Sequence, residues 1–240
     1  EISRMSYAFS GVQDHMLDYF EELMQYEPDG LCLAMNRSLP MILFEEPVLE
    51  EFERRYGRRP SLPEEAFIPD MLGVRHDLLQ AFIGRLYELY GSRGKALSFI
   101  AGGDDQACKR FGLDMRKLIE TGWISAVYGA NARDSFWQQI VRNGSVEVYP
   151  GGRIWGPAHD HVEIAGYTRD EIFANGFDGV FFWDIANEFM NPYDWHVVRR
   201  LGTRSHLDQV IDGRKKQPVL DPLLRVNGVK LGPYSPSRSY

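Results

Sequence analysis

Carboxylates that follow short apolar segments are the residues of this 240-residue chain best suited to catalysis. Asp184 and Glu188 follow an apolar and aromatic run that begins at Phe177, and Asp104 and Asp105 follow a second apolar run. Glycoside hydrolysis requires two carboxyl groups, about 5–5.5 Å apart for retention or about 6.5–9.5 Å apart for inversion, with one of them kept protonated. The candidate catalytic residues are therefore Asp184, Glu188 and Asp104, with Asp184 or Glu188 paired with Asp104 or Asp105.

Aromatic, amide and guanidinium groups lie near the same segment ends and could bind a sugar. Aromatic rings cover the apolar face of a sugar, and amide and guanidinium groups hydrogen-bond its hydroxyls. Trp155 lies in a loop rich in glycine and proline, where its ring is a candidate stacking platform. The candidate substrate-binding residues are Arg37, Asn36, Tyr128, Asn131, Trp155 and Asn187.

The acidic residues also have a purely structural interpretation. An aspartate that directly follows a strand often accepts a backbone N–H at the start of the next helix. Asp104 and Asp184 could serve in this way, or could pair with Arg37. The catalytic and the structural interpretation both stay open at this point.

His159-Asp160-His161 carries two imidazoles at alternate positions of one segment. Such spacing is weak evidence for a metal site, because a metal needs three or four converging ligands. We expect a solvated loop here, with no metal and no cofactor. A metal-dependent hydrolase that uses His159 and His161 is one alternative, and a non-catalytic carbohydrate-binding protein is another.

Short apolar segments that alternate with helical patterns predict a mixed α/β fold with a parallel sheet and right-handed crossovers. We expect the strands of this chain to lie parallel and side by side in the order in which they occur, with ligands bound beyond their carboxyl ends. A doubly wound sheet and part of an eight-stranded barrel both fit, but no dinucleotide-type glycine fingerprint follows any strand. The predicted strands are residues 31–35, 96–101, 123–128, 146–149 and 180–184.

Apolar residues at helical spacing and capping residues predict the helices. Asp134 and Thr168 are predicted N-caps, and Asn175-Gly176 is a predicted carboxyl-terminal stop. Residues 203–240 are polar and rich in glycine, proline and serine, which predicts a tail or a small β element. The predicted helices are residues 11–26, 47–56, 74–90, 115–121, 135–142, 168–175 and 192–201.

Several short motifs occur along residues 6–202, and their order is more characteristic than any one of them. They are Ser6-Tyr7-Ala8, Asp29-Gly30 with Arg37, Phe52, Tyr56-Gly57, Gly112-Leu113-Asp114 before Trp123-Ile124, and Asp178-Gly179 before Asn187. In this order they resemble the bacterial glycosyl hydrolase-like proteins that are placed near the family 10 glycoside hydrolases.

The resemblance implies a partial (β/α)₈ TIM barrel in which residues 1–202 supply about strands four to eight. Residues 203–240 would then be the tail or accessory element, and the missing barrel strands would lie upstream of Glu1. It also implies a carbohydrate substrate and an extracytoplasmic or secreted location. One departure concerns residues 31–35, which carry no acidic residue, so that a carboxylate there would have to come from Glu45 or Glu46.

Composition excludes several classes of partner. The net charge is −7 and no basic stripe is present, which argues against a nucleic-acid backbone as the main partner. No apolar run approaches the roughly 20 residues that a membrane-spanning helix needs. Cys32 and Cys108 form neither a metal-ligand spacing nor a disulfide framework, and both are predicted to be buried.

Overall fold

The computed structural model describes residues 5–35, 40–151, 161–182 and 203–214. These residues form a mixed α/β structure in which parallel strands alternate with helices. The strands are β1 Gly30–Ala34, β2 Ala96–Gly103, β3 Ala126–Ala130 and β4 Glu147–Pro150. The helices are α1 Ser10–Leu23, α2 Glu46–Tyr56, α3 Pro69–Tyr90, α4 Asp105–Arg110, α5 Met115–Glu120, α6 Ser135–Asn143, α7 His161–Tyr167 and α8 Arg204–Arg214.

The four strands lie side by side in chain order, β1-β2-β3-β4, and the sheet is parallel. Leu33 of β1 lies opposite Phe99 of β2, and Ile100 of β2 lies opposite Tyr128 of β3. The predicted parallel arrangement is thus confirmed for these four strands. Of the predicted fifth strand, Phe181 forms a single parallel bridge with Gly151, and residues 183 and 184 lie outside the described part of the chain.

The two faces of the sheet differ in composition and exposure. One face carries large apolar side chains that are buried, among them Leu97, Phe99 and Val127. A sheet whose strands follow chain order with right-handed crossovers places all its connecting helices on one face, and they cover this one. The opposite face carries smaller and more polar side chains that are partly exposed, including Ser98 and Tyr128.

Cys32 also lies on the partly exposed face, and its side chain is exposed, so the prediction that both cysteines are buried is wrong for Cys32. Among the described strands, β1 pairs with β2 alone. The thiol therefore lies on a strand at the end of the described sheet, where few neighbours cover it. Cys108 is buried as predicted.

The helix α3 is the longest described helix and begins five residues before the predicted start, with proline in its first turn. It packs against α1, where the Tyr90 hydroxyl donates to the Phe20 carbonyl over 2.9 Å. Its buried side holds Phe82, Leu86 and other apolar side chains at helical spacing. The predicted helices at α1, α2, α5 and α6 are confirmed to within a few residues at each end.

Three predictions in the second half of the chain need correction or lie outside the described residues. Thr168 is not an N-cap, because α7 precedes it and the helical segment continues through it. Its hydroxyl donates to the Ile164 carbonyl within that segment. The segment stops at Gly176, and this stop was predicted. Helix α8 occupies Arg204–Arg214 of the segment expected to be a tail or small β element, and its Leu207 is buried against Ile164. Residues 215–240 lie outside the described part of the chain, so the expectation for them stays a prediction. The helix predicted over residues 192–201 lies outside the described part.

Contacts along the chain divide it into two compact units, Glu1–Val148 and Tyr149–Tyr240. The first unit holds β1 to β3 and helices α1 to α6, and the second holds α7 and α8. The division predicted between residues 202 and 203 stays a prediction. Within the described residues, no helix combines the length and the apolarity that crossing a membrane requires.

Gly30 is a position where β1 and β2 approach too closely for a side chain. A Cβ on Gly30 would lie 2.3 Å from the Ala96 carbonyl oxygen, so Gly30→Ala must push the two strands apart. We expect a loss of about 1–3 kcal/mol in the free energy of unfolding, measured by urea denaturation. Gly73→Ala is the control, since no atom lies within 4 Å of that Cβ inside α3 and alanine there should stabilise the protein by about 0.5–1 kcal/mol. An unchanged stability of Gly30→Ala would contradict the close pairing of β1 and β2.

Candidate functional site at the strand ends

The carboxyl ends of β2 and β3 are joined through one carbonyl group. The Gly103 carbonyl accepts a hydrogen bond from the Asn131 backbone N–H over 2.9 Å and another from the Trp137 indole N–H over 3.0 Å. Trp137 is fully buried in α6. The two strand ends and the helix that follows β3 are therefore held together, and the polar residues around them occupy fixed positions.

Asp104 is the N-cap of α4, as the structural interpretation of this residue predicted. Its Oδ1 accepts the Ala107 N–H over 2.7 Å, and the side chain is otherwise exposed at the end of β2. The bond fixes the direction of the carboxylate and satisfies one N–H of the helix start. A catalytic role for Asp104 stays a proposal.

Asp134 caps α6 as predicted, and it also makes a contact that sequence alone did not reveal. Its Oδ1 accepts the Phe136 N–H over 3.0 Å, and its Oδ2 accepts the Asp105 N–H over 2.9 Å. The second bond crosses from the β3 end to the first residue of α4. Asp134 thus connects the starts of two helices, a contact between residues far apart in the chain that no local pattern marks.

Asp105 carries an oxygen with an unmet hydrogen-bonding requirement. Its Oδ2 accepts from the Lys109 ammonium over 2.7 Å, one turn along α4. Its Oδ1 is buried and has no hydrogen-bond partner among the described residues. A buried acceptor left in this state costs about 1–3 kcal/mol. Of the two candidate carboxylates at the end of β2, Asp105 is therefore the one with a buried oxygen that no described hydrogen bond satisfies.

The carboxylates of Asp104, Asp105 and Asp134 also affect the pKa of the buried Cys108 thiol. Burial, followed by the negative charges of Asp105, Asp104 and Asp134, raises the pKa of Cys108 to about 12. The Cys108 thiol donates to the Ala101 carbonyl over 2.9 Å. Three carboxylates thus lie close enough to one buried sulfur to disfavour its thiolate.

Asn131 and Tyr128 are the two predicted substrate-binding residues that the structure describes. The Asn131 Oδ1 accepts the Arg133 N–H over 3.1 Å, and the side chain is exposed at the end of β3. Tyr128 lies within β3, because this strand starts and ends later than predicted, at Ala126 and Ala130. Burial raises the pKa of Tyr128, as do Cys32 and Glu147, and a hydrogen bond with Ser98 opposes that rise.

The other predicted site residues lie outside the described part of the chain, so their proximity to Asp104 is untested. They are Arg37, Asn36, Trp155, Asp184, Asn187 and Glu188. His159 also lies outside it, and His161 is described only as the first residue of α7. Within the described ranges, no three His, Cys, Asp or Glu side chains come together as metal ligands.

No protein-family model matches this chain, and a search of curated proteins finds no match either. The resemblance to bacterial glycosyl hydrolase-like proteins therefore rests on short sequence motifs alone. The polar residues at the strand ends are the structural feature that bears on function.

The two cysteines should react very differently with a thiol reagent. At pH 8 the Cys108 thiol is buried and protonated, because its pKa of about 12 lies far above that pH, whereas Cys32 is exposed. Thiolates are the reactive species, so we expect Ellman's reagent to modify one thiol per native chain and two in denaturant. Cys32→Ser should abolish the native reaction. Equal native rates for both thiols would contradict the burial of Cys108.

Proposed function

We propose that this protein is a glycoside hydrolase with a (β/α)₈ barrel, acting on a polysaccharide or oligosaccharide through carboxylate acid–base chemistry. The observation that carries the proposal is the order β1-β2-β3-β4 of a parallel sheet with polar residues just past the strand ends. In a barrel of this kind the strand-end residues of all strands meet at one mouth, where the active site lies. The resemblance in sequence supports the same reading.

The sheet topology supports a barrel over a doubly wound sheet. A doubly wound sheet reverses its strand order at a switch point, and helices then cover both faces. The described strands show no reversal, and one face of their sheet is partly exposed and bears small and polar side chains. Such a face would line the inside of a barrel, with the remaining strands supplied by other segments of the protein.

The proposed mouth contains Arg37, Asp104, Asn131, Asp184, Asn187 and Glu188. Asp184 or Glu188 would supply the general acid or the nucleophile, and Asp104 or Asp105 would supply the second carboxyl group. Arg37 and the two asparagines would hold sugar hydroxyls or a carboxylate. Asp104 enters this arrangement with its direction already fixed by the Ala107 N–H.

A non-catalytic carbohydrate-binding protein is the second candidate. It is favoured because the carboxylates that the structure describes at the strand ends have structural roles. Asp104 and Asp134 cap helices, and Asp105 pairs with Lys109. The two acidic residues that could replace a carboxylate in β1 are also engaged, since Glu45 accepts the Leu43 N–H and Glu46 pairs with Arg59. Hydrolysis would therefore depend on Asp184 or Glu188 for its general acid or nucleophile.

Asp184→Asn and Glu188→Gln, made separately in the intact protein, test the hydrolase. At least one should lower turnover on a hydrolysed glycan by about 10²-fold or more, the loss expected when a general acid or base is removed. Glycan affinity should largely survive, because an amide keeps the shape of the carboxylate. The measurement is the release of reducing sugar from a panel of polysaccharides.

Asp29→Asn is the matched control, since Asp29 is an exposed carboxylate that precedes β1 at the opposite end of the sheet. It should leave turnover unchanged. Full turnover in both Asp184→Asn and Glu188→Gln would remove the two residues from the mechanism. Binding of a glycan without hydrolysis by the wild type would favour the second candidate.

A further inference from the structure

Arg75 is a fully buried arginine with 0% of its surface exposed. Its Nε and Nη2 donate to the Ile42 carbonyl over 3.0 and 2.8 Å, and Nη2 also donates to the Arg110 carbonyl over 3.2 Å. Its Nη1 has no hydrogen-bond partner among the described residues. Burial lowers the pKa of Arg75, and the charge of Glu45 opposes that shift. Arg75 therefore fixes the loop after β1, residues 40–45, against α3 and the end of α4.

The guanidinium of Arg75 also holds an aromatic ring of that loop. Its central carbon lies 5.2 Å from the centre of the Phe44 ring, a cation–π contact. Phe44 in turn meets the ring of Phe67 edge to face, with ring centres 6.4 Å apart. Phe67 is 61% exposed, although phenylalanine is a residue type that is usually buried.

The loop that carries Phe67 is also held in place by hydrogen bonds. Glu65 accepts two hydrogen bonds of 2.6 Å from the Arg58 guanidinium and one of 2.7 Å from the Ser61 N–H. Ala66, next to Phe67, is buried. The exposed ring is thus presented on an ordered segment, and a preordered contact surface costs little entropy when it binds a ligand.

Both rings belong to the end of the sheet where the proposed active site lies. Residues 40–45 follow the carboxyl end of β1, and Phe67 lies two residues before α3, which leads back to the start of β2. Along the chain, each ring lies within two residues of an ion pair, Glu46 with Arg59 and Glu65 with Arg58. These four charged side chains, which flank the aromatic patch in sequence, are its charged border.

We propose that Phe44 and Phe67 form a sugar-binding subsite at the rim of the strand-end mouth, with Arg75 as the residue that positions Phe44. A sugar ring has an apolar face that suits an exposed aromatic ring and an edge of hydroxyls that suits the charged border. Two rings offer far less apolar area than the several hundred Å² typical of a protein docking patch. This inference rests on the proposed glycan function and extends its substrate site outward.

The test is affinity electrophoresis of the intact protein in gels containing β-glucan, xylan, galactomannan or chitosan. Phe67→Ala should weaken binding to the retained polysaccharide by about tenfold, the loss expected for one aromatic contact, while Phe67→Tyr should keep it. Tyr26→Ala is the matched control, because Tyr26 is a 77% exposed aromatic residue near the amino ends of the strands. Its affinity should equal that of the wild type.

Undiminished binding by Phe67→Ala would overturn the subsite while leaving the proposed glycan function standing. Retention by none of the polysaccharides would overturn both. Sedimentation velocity of the wild type and of Phe67→Ala tests whether the patch binds a second copy of the chain. A wild-type dimer that Phe67→Ala dissociates would show that it does, and would overturn the sugar subsite.

Discussion

Hydrogen bonding of β2 to a parallel strand on each side is the constraint on which the described site depends. The register fixes Ala34 of β1 opposite Ile100 and Tyr128 of β3 opposite the same residue. Because the three strands run in one direction, their carboxyl ends come to one edge of the sheet. The Gly103 carbonyl then joins the β2 end to Asn131 and Trp137, so the polar residues at the ends of β2 and β3 take their positions from this pairing.

The strand-end carboxylates illustrate how structural and catalytic uses compete for the same groups. A carboxylate that accepts backbone N–H bonds is well oriented, but the bonded oxygens are no longer free to contact a substrate. Both oxygens of Asp134 accept backbone N–H bonds, and one oxygen of Asp104 does. The proposed mechanism therefore gives its central place to Asp184 and Glu188.

The alternation of strands and helices was predictable because burial leaves a strong apolar pattern in the sequence. The cap at Asp134 was predictable for a similar reason, since it acts on residues next to it. The start of β3 was misplaced because Trp123 is apolar, yet it stacks on Tyr87 of α3 outside the strand. Helix α8 escaped prediction because only Leu207 and Val210 are buried in an otherwise polar segment.

The site residues missed from sequence are those whose role depends on distant neighbours. Nothing in the sequence around Arg75 indicates that its guanidinium is buried against Ile42 and Arg110. The exposure of Phe67 and of Cys32 is equally invisible, because both lie in apolar surroundings along the chain. Local patterns predict elements, whereas these contacts arise only when the elements pack together.

The central claim is that a glycan binds at the carboxyl ends of the parallel strands. Hydrogen exchange followed by mass spectrometry, with and without a saturating oligosaccharide of a bound polysaccharide, tests it most directly. Peptides covering residues 36–46, 102–108 and 129–134 should gain protection, and peptides covering residues 24–30 and 91–96 at the opposite ends should not. Protection confined to the amino ends of the strands, or no protection anywhere, would contradict the account.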